Sequence, residues 1–346
     1  MLQSNHQGLD IVRPAAPRTP RARIAIVSPA ASGANNGNWR TAQRWRGLLA
    51  PRHSARIVAQ WPDGLAERDT HLLALHARRS APSITAWAQT HPGRGLAVVL
   101  TGTDLYRDID TDRDAQRSLE LAQAIVVLQP LGPRRLPAPL RDKAQVILQS
   151  TRSRQAVTKT TRRLRVLMVG HLRDEKDPLT LMRAAAALSD HEGIQIDHIG
   201  AALDPALGQA AAETARSCPH YRWLDAQTHT ATRSHIQRAH VLVHASRMEG
   251  GAHVIMEALC SGTPVIASDI DGNRGMLGDE PSETYFPAGD AMALALRLRE
   301  CRRTQSEPDG LLARLARTQL ARAPLFSPAA EQAALWALIE SLPSHP

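Results

Sequence analysis

The sequence predicts an α/β protein made of two Rossmann-like domains in tandem, and three observations predict it. Short Ile- and Val-rich runs alternate with helical stretches along most of the chain, the pattern of a mainly parallel sheet. The alternation stops at a polar, basic run over residues 149–163 (QSTRSRQAVTKTTRR) and then restarts. The chain has 346 residues, too many for one small domain and suited to two.

Each element follows in order. Residues 1–22 hold Arg and Pro but no apolar stretch, so they read as a disordered leader rather than a signal peptide. Residues 23–28 (RIAIVS) read as the first strand; a small-residue loop at 30–38 and a helix from about 39 to 49 follow. This strand, loop and helix open a doubly wound sheet. Further strands are expected at 55–59, 96–100, 124–128 and 145–148, with helices at 82–90 and 113–123. An N-terminal domain thus spans 23–150, and a linker spans 151–163. The second domain, 164–322, has strands at 164–169, 194–199, 241–245 and 264–268, and a helix at 178–188 that begins with Pro178. The segment 323–346 carries an amphipathic helix at 328–342, expected to pack back toward the N-terminal domain.

Composition narrows the function classes. Hydrophobic residues make up 43% of the chain and aromatics 3%, so the cores must be aliphatic. The net charge is +9, carried mostly by Arg scattered among acids. No basic stripe interleaved with aromatics occurs, so nucleic acid is not expected as a partner. The three cysteines, Cys218, Cys260 and Cys301, form no CxxC pair and are odd in number, which fits a reducing cytoplasm. No apolar run is long enough to span a bilayer, and no membrane association is expected. Fifteen His occur without metal-ligand spacing, and Asp112-Arg113-Asp114, though a literal DxD, is better read as the cap of the following helix. No metal and no cofactor are expected.

The most informative stretch runs from Ala245 to Leu277, ASRMEGGAHVIMEALCSGTPVIASDIDGNRGML. It places Glu249 in a loop before a helical run, 253–259, and Glu257 inside that run. Gly250 and Gly251 stand beside the first carboxylate, and an SGTP turn leads into a strand. Carboxylates accept hydrogen bonds from vicinal sugar hydroxyls, and glycines let backbone N–H groups approach a ligand. The plain alternative is two solvated helix carboxylates; the ordered set of Gly pair, turn and strand weighs against it. A second loop, VGHLRDEKDP (169–178), also follows a strand and opens a helix. Its Arg173 and Lys176 either hold a phosphate or form a surface cluster with Asp174 and Glu175.

Together these stretches resemble the GT-B glycosyltransferases, in the large retaining family that includes sucrose and glycogen synthases. There the first pattern is EGxG…EAxxxGxPVIAS and the second VGRLxxxKG. The resemblance implies two Rossmann-like domains facing a central cleft. It gives Glu249 to the donor sugar and Glu257 to the nucleotide ribose. It makes Gly250, Gly251, Ala252 and His253 part of the sugar and diphosphate pocket. Gly170 and Lys176 match the second pattern, while His171 stands where Arg is expected. Either Arg173 supplies that charge or His171 binds as a neutral donor. The implied catalytic set is Glu249, Lys176 and Arg173, the cations stabilising a departing UDP.

Three further blocks, SPAASGANNGNWRTAQRWR (28–46), LTGTDLYRDI (100–109) and GDEPSETYFPAGD (278–290), are similar to the selenosugar synthases of selenoneine biosynthesis. That resemblance, over about residues 23–300, implies transfer of a sugar from UDP-N-acetylglucosamine or UDP-glucose to selenophosphate, giving a 1-selenosugar, UDP and phosphate. It also implies a functional link to an enzyme that makes selenophosphate. On the acceptor side, Gly33, Asn36, Gly37, Asn38 and Arg40 form a loop and helix start able to cradle a phosphate-like group. Thr103, Asp104 and Arg107 follow another strand end, where ligands bind in open α/β sheets; Asp104 reads equally as a helix cap. Two rival readings stay open: the same donor with another sugar, small-molecule or lipid acceptor, and a non-catalytic basic binding protein.

Overall fold

The computed structural model describes residues 21–29, 37–279 and 282–343. They form two six-stranded, all-parallel sheets. The N-terminal sheet contains β1 (Arg23–Val27), β2 (Ser54–Val58), β3 (His71–Leu75), β4 (Leu96–Val99), β5 (Ala124–Val127) and β6 (Ala144–Val146), in the order β2-β1-β3-β4-β5-β6. The C-terminal sheet contains β7 (Leu164–Val169), β8 (Ile194–Ile199), β9 (Tyr221–Trp223), β10 (Val241–His244), β11 (Val265–Ser268) and β12 (Tyr285–Phe286), in the order β12-β11-β10-β7-β8-β9. Each sheet has aliphatic clusters on both faces, which is why its inner strands are continuous apolar runs.

The strand order sets where a ligand can bind. The chain leaves β7 for β8 and β9, then returns to place β10 on the other side of β7. The loops after β7 and β10 therefore diverge over a crevice, the position at which open α/β sheets bind ligands. The N-terminal sheet has its own reversal between β1 and β3. Residues 147–163 carry no helix or strand. The helix Pro328–Ser341, capped by Ser327, returns to the N-terminal domain. There Leu335, Leu338 and Ile339 share a core with Trp45, Leu49 and Ile26.

Several expectations need correction. β3 was not expected, although it is a central strand; its sequence, HLLAL, is Leu- and Ala-rich and lacks the β-branched residues that mark strands. The short edge strands β9 and β12 were also missed. Residues 271–277 form a helix, Asp271–Leu277, where only a strand end was expected. Arg21 and Ala22, assigned to the leader, belong to the fold: Ala22 is buried and its carbonyl accepts from Ser54 N at 2.9 Å.

Burial favours the neutral form of several histidines, His71, His198 and His240 among them. Desolvation lowers His71, His198 and His240 from 6.5 to about 4. On acidification the unfolded chain takes up these protons before the folded one, so stability present above pH 6.5 is lost between 6.5 and 4. Carboxylates contribute little in this window because their loss begins lower. The midpoint of urea unfolding should fall steadily from pH 6.5 to 4.5, at roughly 1 kcal/mol per pH unit for each histidine. A flat profile over that range would contradict their burial in the neutral form.

Candidate active site

Two loops build the centre of the site. After β7, Gly170 leads into a 3-10 turn, Asp174–Lys176, and Asp177 takes a left-handed conformation with φ of 46° before Pro178 starts the helix Pro178–Ala187. After β10, residues 245–252 lead to the helix His253–Leu259. Because β7 and β10 are hydrogen-bonded neighbours, the loops run side by side, joined by Arg247 N donating to Glu175 O at 2.9 Å. The Lys176 stem lies along Gly170, and its ammonium reaches the Glu249 carboxylate. His244 Nε2 lies 3.2 Å from the same carboxylate.

Glu249 is only 8% exposed. Burial by itself would raise its pKa, but the Lys176 charge and the His244 hydrogen bond override it and hold the carboxyl below the usual range. Glu257 is 7% exposed and sits 2.7 Å from His229 Nε2 and 3.9 Å from Arg233 Nη1. Both carboxylates are buried and partnered, which removes the reading of solvated helix residues. Arg173 stands apart from Lys176. It is about half exposed and faces Glu175, 3.8 Å away; Arg107 of the N-terminal domain is 4.0 Å from the same Glu175. His171 turns its Nδ1 inward to accept from Ala201 N at 3.2 Å.

The glycine pair has a use that differs from the expected one. A Cβ on Gly250 would lie 2.5 Å from the Thr101 carbonyl oxygen, and one on Gly251 would lie 2.7 Å from Leu128 Cβ. Neither has positive φ. Their small size lets the N-terminal domain close onto the Glu249 loop, rather than lending that loop flexibility. Gly275 does the same for Gln129, whose Oε1 lies 2.0 Å from where a Cβ would stand. Ala252 is buried just before the helix. His253 faces the other domain, with Nε2 3.3 Å from Arg44 Nη1 and the ring 4.0 Å from the Cβ position of Gly37.

On the acceptor side, Gly33 and Asn36 lie outside the described residues. Gly37, Asn38 and Arg40 begin the helix Gly37–Leu49 at the edge of the cleft. Arg40 is close enough to lower His253. Thr103 Oγ1 is 3.3 Å from His76 Nε2. The ligand reading of Asp104 needs correction: it is fully buried and accepts from Thr101 N, Gly102 N and Ala77 N at 2.9–3.0 Å. Oδ1 is thus spent on shaping the loop that meets Gly250, and Oδ2 on holding Ala77 after β3. Asp112 caps the helix Arg113–Leu121 by accepting from Ala115 N, so the DxD has a structural use. Among the described residues, no group of three His, Cys, Asp or Glu is gathered as metal ligands, and no helix is long and apolar enough to cross a membrane.

Sequence reasoning missed four residues here. His76 sits at the end of β3 with φ of 75°, between Asp104 and Asp108; recognising β3 would have exposed it as a strand-end residue. Burial keeps its pKa low against both aspartates. Tyr106, pushed up to about 12 by burial with Asp271 and Glu249 nearby, accepts from Gln129 at 3.0 Å. His244 and Arg44 belong to no recognisable pattern.

If the domains must meet at Gly250 for activity, Gly250→Ala should separate them. Its methyl would press on backbone, which cannot yield as a side chain does. Small-angle scattering should show a larger radius of gyration, and kcat/KM should fall by about 100-fold, with the melting temperature little changed. A variant of unchanged size and rate would show that the seam is not functional.

Residues 149–310 match the model of the family Glycosyl transferases group 1. No curated protein sequence matches the chain. Among solved structures, sucrose-phosphate synthase from Thermosynechococcus elongatus aligns with a TM-score of 0.71 at 18% identity, covering 92% of this chain and 98% of that one. HepE of Anabaena, in complex with UDP and glucose, aligns with a TM-score of 0.70 at 14% identity, over 93% of this chain and 100% of HepE. S. aureus TarM, in complex with Fondaparinux, alpha-GlcNAc-glycerol and UDP, aligns with a TM-score of 0.61 at 11% identity over 78% of this chain, which spans 55% of TarM's length. At such identities these likenesses establish the fold, and the family likeness is confined to residues 149–310. The chain has the GT-B fold of these glycosyltransferase structures, and its residues 149–310 match the group 1 glycosyl transferase family model.

Proposed function

We propose that the protein transfers a sugar from a UDP-sugar, UDP-N-acetylglucosamine or UDP-glucose, to selenophosphate in selenoneine biosynthesis. The observation that carries the donor half is the Lys176–Glu249 pair at the crevice between β7 and β10. It offers a cation for a diphosphate and a carboxylate for sugar hydroxyls on adjoining loops. UDP as the nucleotide is supported by the structural neighbours that bind it. Selenophosphate is supported by the three sequence blocks described above and by the arginines on the N-terminal edge of the cleft, which suit a small anion.

In this reading selenium attacks the anomeric carbon. A C–Se bond forms and the bond from that carbon to the UDP oxygen breaks, with Lys176 stabilising the charge that develops on UDP. Water then cleaves the P–Se bond, releasing phosphate and the selenosugar. The selenium nucleophile is already anionic, so little proton removal is needed. We place the enzyme in the cytoplasm. Its three cysteines are buried and unpaired, in keeping with a reducing compartment.

Mass spectrometry of products, after incubation with selenophosphate and a panel of UDP-sugars without added metal, tests this directly. A selenium isotope pattern on a hexose or N-acetylhexosamine should appear together with UDP. Lys176→Ala should slow turnover by two orders of magnitude or more. UDP release without a selenosugar would remove selenophosphate as the acceptor and direct the search to sugars, other small molecules and lipids. Unchanged rates in Lys176→Ala would remove the leaving-group role.

A further inference from the structure

Arg44 belongs to neither loop of the site, yet it reaches into the cleft. It lies on the helix Gly37–Leu49, and its Nε donates to both oxygens of Glu331, at 3.1 and 2.9 Å. Glu331, 1% exposed, comes from the C-terminal helix. It also accepts from Trp45 Nε1 at 2.7 Å and from Ser150 N at 2.8 Å. The carboxylate is thereby saturated and rigid, and the guanidinium it holds is fixed in plane. Arg44 Nη1 then meets His253 Nε2 at 3.3 Å, across the domain boundary.

Among the described residues the third guanidinium nitrogen has no partner: Arg44 Nη2 is buried and makes no hydrogen bond, an unfavourable arrangement where nothing satisfies it. Two more cations act at the same point: burial first, then Arg44, Arg40 and Lys176, lower His253 well below 6.5. His253 therefore stays neutral, leaving the positive charge at this boundary on the arginines and Lys176. A planar donor, pre-fixed by a buried carboxylate and with a spare N–H beside other cations, suits a tetrahedral oxyanion.

We propose that Arg44 is the N-terminal domain's ligand for a phosphate-type oxyanion bound in the cleft, and that Glu331 is the positioning residue that aims it. This rests on the glycosyltransferase reading above. The oxyanion has two sources in that reaction: the diphosphate of the donor and the phosphoryl group of the acceptor. In either case the anion is gripped from both domains, by Arg44 on one side and Lys176 on the other, so binding draws the cleft shut.

Calorimetry on the full chain separates these sources. UDP and uridine are titrated into the free protein, and inorganic phosphate into the UDP-saturated protein, for wild type, Arg44→Lys, Glu331→Gln and the double variant. Arg44→Lys should weaken either UDP or inorganic phosphate at least tenfold while uridine binding holds. A loss in the UDP titration identifies the donor diphosphate, and a loss in the phosphate titration identifies the acceptor. Glu331→Gln should reproduce that loss, and the double variant should be no worse than Arg44→Lys, because the two act as one unit. If Glu331→Gln fails to fold, Arg44→Lys alone decides. Affinities within twofold of wild type in both titrations overturn the proposal. If Lys176→Ala loses UDP while Arg44→Lys keeps both ligands, the functional reading stands and only this proposal falls. If the wild type binds neither probe, both fall.

Discussion

A carboxylate buried at a domain boundary must be neutralised or discharged, and the architecture of this protein answers that demand at Glu249. Burial works to raise its pKa, and Lys176 and His244 work harder in the other direction. They can do so because β10 returns to the side of β7, so that the loop bearing the cation and the loop bearing the carboxylate leave the sheet as neighbours. In the proposed reaction, a diphosphate arriving in the crevice would compete with Glu249 for Lys176, and a sugar hydroxyl would compete with Lys176 for Glu249. Donor binding would then be an exchange of partners rather than the desolvation of two free charges.

The second domain depends on this loop through its smallest residues. Gly250 lies against the Thr101 backbone, Gly251 against Leu128 and Gly275 against Gln129. The loop that receives Gly250 is shaped by Asp104, whose oxygens are occupied by backbone N–H groups. The crossover between the domains is held on both sides by buried polar residues. Glu331 accepts from Ser150, and Arg233 donates to the Arg152 carbonyl and to Ser261 Oγ while standing 3.9 Å from Glu257. Each of these residues also contacts a group facing the cleft, Arg44 or Glu257, so the segment that links the domains is tied to the site.

Much of this was legible in the sequence because it depends on local pattern. The apolar runs of β1, β7, β8 and β10, the helix His253–Leu259 with Glu257 inside it, and Lys176 at a strand-loop-helix junction are all statements about a dozen neighbouring residues. What was not legible depends on distance in the chain. His244 looks like any residue at a strand end until the fold turns it toward Glu249. Arg44 and Glu331 are separated by nearly the whole chain, and only the return of the C-terminal helix brings them together. β3 escaped because Leu and Ala carry no strand signature, and His76 escaped with it. The glycines were recognised, but the space they leave is filled by the other domain, a reason that no local pattern encodes.

The central claim, that Lys176 exchanges Glu249 for a donor phosphate, is tested most directly by a crystal structure of the protein with UDP. Lys176 Nζ should lie within hydrogen-bond distance of a phosphate oxygen, at about 2.7–2.9 Å, with the nucleotide in the crevice between β7 and β10 and the ribose on the side of Glu257. UDP bound elsewhere, or in the crevice with Lys176 still committed to Glu249 and no phosphate contact, would contradict it.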